Sequence, residues 1–147
     1  MYKRQVSNHI CYLLTEEKLL FTGDHILQGT TPVILPPDGD MADYLHSLRS
    51  LQDRELRYLA PGHGQLMDQP QKEIRLLIAH RLKREAKILS CFRSLGAVSV
   101  DELVLAAYDD VAEHLIPWAK KTLTAHLIKL VKDQSVCERD GMWSLTN

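Results

Sequence analysis

The chain has 147 residues, of which 45% are apolar and 25% charged, and a formal net charge of −1, a composition that fits one compact domain or two small ones and argues against disorder. Cys11, Cys91 and Cys137 are far apart and odd in number, which supports neither a disulfide framework nor a zinc knuckle and suits a reducing cytoplasm. The apolar run at residues 10–14 is too short for a secretory signal core or a membrane span, so no membrane partner is expected.

Residues 10–14 predict a strand, residues 15–18 a polar turn, and Leu19, Leu20 and Phe21 the returning strand, giving a hairpin that ends at Gly23. Thr30-Thr31-Pro32 and Pro36-Pro37-Asp38-Gly39 break any period, so residues 23–39 read as a long loop of the kind that borders a site. Asp40 then caps an amphipathic helix with Met41, Leu45, Leu48 and Leu51 on one stripe. A third short strand at residues 57–60 leads into Pro61-Gly62-His63-Gly64. Pro70 opens a helix that runs to about Leu95 and stops at Gly96. Its expected stripe is Ile74, Leu77, Ile78, Leu82, Leu89 or Ile88, Phe92 and Leu95. Its basic residues Lys72, Arg75, Lys83, Arg84, Lys87 and Arg93 are expected mostly off that stripe, facing solvent.

Ser99 with Glu102 three residues later makes a capping box for a helix through Leu103, Leu105 and Ala107 to about Tyr108. Pro117 opens another with Ala119, Leu123, Leu127, Leu130 and Val131 as its core stripe. Two short strand candidates flank Asp140-Gly141, a strong hairpin signal. Helix, helix, helix, hairpin is the order of a winged helix. Residues 96–147 carry 5 basic against 8 acidic side chains, which argues against phosphate-backbone binding by that module. Residues 70–95 carry 7 against 2, leaving RNA or another polyanion as a partner for the long helix.

Two motifs carry the chemistry, Gly23-Asp24-His25 and Pro61-Gly62-His63-Gly64, each at the end of an apolar run and so at a strand end. Carboxylate oxygen and neutral imidazole nitrogen are both zinc ligands, and glycine lets backbone approach closely. Serines 7, 47 and 90 lack a nucleophile-elbow context, and no cysteine sits in an evident activating environment.

The stretch FTGDHILQGTTPVILPPDGDMADYLHSL followed by YLAPGHG resembles the C-terminal half of metallo-β-lactamase-fold hydrolases, in the glyoxalase-II-like and lactamase-B-like branch that carries a winged-helix extension. The resemblance extends over nearly the whole chain from Ser7. It implies an α+β fold: part of an αββα sandwich at residues 1–69, a long connecting helix at 70–96 and a winged helix at 97–147. It also implies that Asp24 bridges two zinc ions and that His63 binds one of them. His9 and His25 stand beside those positions as second-shell groups or substitute ligands.

The family's HxHxDH motif occurs nowhere in the sequence, and the family's further ligand histidine falls on Gln5. The implied activity is zinc-dependent hydrolysis of a thioester, lactone or phosphodiester by a metal-bound hydroxide. With two ligands the chain alone is expected to turn over little or no substrate, and a partial sheet is expected to favour homo-oligomers. Such a sequence would also arise from a start site placed too late. The alternative is a non-catalytic winged-helix interaction module that binds a protein or RNA.

Overall fold

A computed structural model describes residues 9–146 of the chain; Gln5 lies outside them. The chain forms two compact units, Met1–His80 and Arg81–Asn147.

In the first unit, strands β1 (Tyr12–Leu14) and β2 (Leu19–Gly23) pair antiparallel, with Tyr12 opposite Phe21 and Leu14 opposite Leu19. Strand β3 (Tyr58–Pro61) pairs with β2 in parallel, so the sheet order is β1-β2-β3. A parallel pair needs a crossover connection. Helix α1 (Met41–Gln52) supplies it, after the long irregular segment expected from the prolines.

The Asp40 side chain accepts from the backbone N–H groups of Ala42 and Asp43 at 2.7 and 3.0 Å, which fixes where α1 starts. Met41, Leu45, Leu48 and Leu51 are buried as the spacing requires, and Tyr44 joins them. Each fully buried leucine contributes about 1.5–3 kcal/mol. Alternation sorts β2 in the same way: Leu20 and Thr22 face inward while Phe21 is 48% exposed. The outer face of the sheet therefore presents Tyr12, Leu14 and Phe21 to solvent.

Helix α2 (Pro70–Leu95) contributes residues to both units. Its buried side chains include Ile74, Leu77, Ile78, Ile88 and Phe92. Leu82 and Leu95, expected on the stripe, are 39% and 50% exposed, whereas Arg81 and Arg84 are buried. Arg84 was expected in solvent. It is drawn in because its guanidinium pairs with both oxygens of Asp110, at 2.7 and 2.9 Å, and lies 4.2 Å from the centroid of the Tyr108 ring.

In the second unit, α3 (Val100–Ala107) begins at the Ser99–Glu102 capping box. A short 3-10 turn (Glu113–Leu115) precedes α4 (Ile116–Lys132), which has Pro117 in its first turn. Strands β4 (Val136–Arg139) and β5 (Met142–Leu145) form the wing. Asp140 and Gly141 both have positive φ, 52° and 79°, the requirement of a two-residue primed turn. Val98 exchanges backbone hydrogen bonds with Trp143 at 2.9 and 2.8 Å and extends the wing by one bridge.

The core here is Ile88, Phe92, Leu103, Val104, Leu123, Leu127 and Leu130 with Val136. Leu105 and Val131, expected inside, are 63% and 42% exposed; Val104 and His126 are buried instead. The unit is the winged helix that the order of elements implied.

Candidate functional site

Parallel pairing of β2 and β3 brings the two glycine-rich turns to the same end of the sheet. The register slips there, because Phe21 opposes Ala60 but Gly23 opposes Pro61. The extra residue is a bulge that turns the chain out of the sheet just before Asp24. Gly23 has φ 51°, in the left-handed region, and its carbonyl accepts from the Gly62 N–H at 2.7 Å. A Cβ on Gly62 would stand 2.9 Å from Asp24 Oδ1, so the close approach of the two turns depends on glycine.

The result is that His63 Nε2 lies 3.6 Å from Asp24 Oδ1. The His63 side chain is 81% exposed and that of Asp24 32%. Beside them, Gln28 Oε1 accepts from the Gln65 N–H at 2.9 Å and ties the loop after Asp24 to the turn after His63.

His25 and His9 are placed differently. The His25 ring is buried, edge-on to Tyr44 at 5.1 Å and stacked on His9 at 5.6 Å. Ser47 Oγ on α1 lies 2.8 Å from His25 Nε2 and also 2.8 Å from the Tyr44 carbonyl. A hydroxyl has one proton to give. With that proton on the carbonyl, Nε2–H of His25 donates to Ser47. Burial, assisted by His9, pushes the His25 pKa down to about 4, so its ring is neutral at neutral pH. His9 Nε2 donates to the Thr22 carbonyl at 2.9 Å. Both rings thus brace the turn that carries Asp24.

The sequence let Ser47 be weighed only as a nucleophile, and it did not single out Tyr44 or Gln28. Ser47 and Tyr44 read as ordinary residues of a helix, and Gln28 as loop, with no local signal of their partners.

Zinc takes about four ligands. Among the described residues no group of three or more His, Cys, Asp or Glu side chains is gathered to hold a metal. Asp24 and His63 bring one carboxylate and one imidazole to within 3.6 Å of each other. Burial pushes the Cys11 thiol up to about 11 and raises that of Cys91, so neither of these two is an activated thiolate.

Residues 6–63 match the family model of the metallo-beta-lactamase superfamily, and residues 99–143 match that of the beta-lactamase associated winged helix domain. Among curated proteins, the chain is 31% identical to an atrochrysone carboxyl ACP thioesterase of Aspergillus fumigatus, over 88% of this chain and 44% of that protein. It is 30% identical to a beta-lactamase-like protein 2 homolog of Caenorhabditis elegans, over 92% of this chain and 42% of the relative. The chain therefore spans less than half the length of these relatives.

Among solved structures, a metallo-beta-lactamase family protein from Thermus thermophilus superposes with a TM-score of 0.78 at 24% identity, over 92% of this chain and 44% of that one. A beta-lactamase domain protein from Burkholderia ambifaria gives the same TM-score at 19% identity. These two likenesses establish the fold, an α+β partial sandwich followed by a winged helix. The chain belongs to the metallo-β-lactamase superfamily, carrying part of its fold over residues 6–63 and the winged helix associated with it over residues 99–143.

Proposed function

We propose that this chain forms part of a metallohydrolase, in which Asp24 and His63 are two of the ligands of a zinc centre and the remaining ligands come from residues outside this sequence. The observation that carries the reading is the 3.6 Å approach of Asp24 Oδ1 to His63 Nε2 from turns after two different strands. Zinc would there supply a Lewis acid and an activated water. What the chain's own residues contribute is placement: the Gly23–Gly62 contact holds the two ligands together, and His25 with Ser47 and His9 with Thr22 brace the Asp24 turn. An ester or thioester is the substrate class we favour, given the thioesterase among the relatives. The free cysteines suit a reducing, cytoplasmic setting.

The purified chain alone is expected to be inactive toward thioesters, lactones and phosphodiesters, with or without added zinc. Chelator-sensitive hydrolysis by this chain would sink the claim that its ligand set is incomplete.

A second reading, a non-catalytic interaction module, is favoured by the outer face of the first unit's sheet, where Tyr12 and Phe21 are 69% and 48% exposed. A protein surface, including that of a second copy, fits it better than RNA. The polyanion reading relied on solvent-facing cations of α2, but Arg84 pairs with Asp110 and Lys87 with Asp109. Binding that weakens steeply with salt would restore the RNA reading.

A further inference from the structure

The core of the second unit encloses a histidine that the candidate metal site does not use. His126 on α4 is 0% exposed. Its Nδ1 stands 3.5 Å from Glu85 Oε2 on α2. At that distance the contact is a long one, and Nδ1, Nε2 and Glu85 Oε2 are each buried without a hydrogen bond of ordinary geometry among the described residues. The other Glu85 oxygen accepts from Lys129 Nζ at 2.8 Å, and Lys129 also pairs with Asp133 at 2.6 Å.

The charges acting on the imidazole are Glu85 and Arg81 from α2 and Lys129 from its own helix. Glu85 alone favours a proton there. Beyond the end of α3, Asp110 is engaged by Arg84 and Asp109 by Lys87, while Arg84 also lies over Tyr108. Burial is the largest influence on His126 and, with the two cations, lowers its pKa below the ordinary value.

We propose that the His126–Glu85 contact is an acid-operated release, in which uptake of one proton by the chain is coupled to the parting of α4 from α2 in the second unit. A protonated imidazole has two N–H donors to satisfy. Glu85 Oε2, which Lys129 leaves open by binding the other oxygen, stands before Nδ1–H; among the described residues Nε2–H has no hydrogen-bond partner and would stay buried inside the unit. The charged ring is therefore accommodated only where water reaches it.

The sign follows from linkage. The unfolded chain takes up the proton near the ordinary histidine value of about 6.5, and the folded unit only at lower pH. Below about 6.5 the unfolded state binds more protons, so stability falls with falling pH. Burial opposes the Glu85 carboxylate, but its pairing with His126 and Lys129 outweighs that and lowers its pKa. Glu85 therefore stays ionised while His126 acts.

Trp118 and Trp143 are the chain's two tryptophans and both lie in the second unit, so tryptophan fluorescence in the full chain reports that unit. Urea unfolding between pH 6.5 and 5 should give an unfolding constant that rises by up to about tenfold per pH unit, and His126→Leu should abolish the rise. Proton NMR of the wild-type chain should find the His126 ring untitrated while the unit remains folded. A pH slope unchanged in His126→Leu, or a His126 ring that titrates near 6.5 in the folded unit, would overturn the proposal. The NMR arm uses the wild-type chain, so a variant that fails to fold leaves the test decisive.

Discussion

Asp24 Oδ1 lies 3.6 Å from His63 Nε2, and Gly62 is what permits it. A Cβ at position 62 would meet Asp24 Oδ1 at 2.9 Å and the Gly23 backbone carbon at 3.1 Å, and backbone cannot give way cheaply. Gly62→Ala should therefore part the two turns. We expect a loss of about 1–3 kcal/mol in stability of the first unit and at least a severalfold fall in zinc affinity. Thermal unfolding followed by circular dichroism, and a zinc titration, would check both; a variant unchanged in each would mean that the turns do not depend on this contact.

Ser47→Ala removes the hydroxyl that partners His25 Nε2 at 2.8 Å, leaving a buried ring nitrogen unmatched. The expected cost is about 1–3 kcal/mol. Because the second unit holds both tryptophans, the loss should appear in circular dichroism and be absent from tryptophan fluorescence. A parallel loss in both signals would place the effect elsewhere.

Asp40→Ala should cost about 1 kcal/mol by uncapping α1, because the Asp40 carboxylate accepts from Ala42 and Asp43 N–H. Asp40→Ser should recover most of it, and equal losses in the two variants would argue against capping as the cause.

These caps were legible in the sequence because their chemistry is local. Asp40 before Met41, Ser99 three residues before Glu102, and Asp140-Gly141 each declare an element boundary within one turn, and all three stand where expected. Side-chain fate was less legible. Helical spacing put Leu82, Leu95, Leu105 and Val131 on core stripes, yet all four are exposed, since periodicity gives a stripe without saying where its neighbours end. Arg84 could not be read as buried because its partner Asp110 is 26 residues away. At the candidate site, the glycine-flanked Asp24 and His63 announced themselves. The Ser47–His25 contact did not, because a helix serine carries no sequence mark of what crosses over it.

Arg84 and Asp110 give a pH-dependent prediction for the second unit. The hydrogen bond from Arg84 is the main cause that holds the Asp110 carboxyl down to about 2, against an ordinary 3.8. A depressed carboxyl contributes stability that is fully present above its unfolded value and is lost as pH falls from about 3.8 through about 2. Asp110 is largely exposed, so the contribution is modest and screened by salt. Asp110→Asn should flatten the acid limb in that window, read by tryptophan fluorescence; an unaltered limb would deny the pair any role in acid stability. Arg84→Ala should cost more, about 2 kcal/mol, since it also strips the Ala107 carbonyl of its donor.

The measurement closest to the central claim is a zinc titration of the purified chain, by calorimetry, set beside Asp24→Ala, His63→Ala and the control His46→Ala, whose histidine lies exposed on α1. Weak binding of zinc that disappears in both the Asp24 and His63 variants and persists in the His46 control is the predicted result. Zinc binding that is indifferent to Asp24 and His63, or no zinc binding by the wild-type chain at any concentration, would contradict the assignment of this pair as metal ligands.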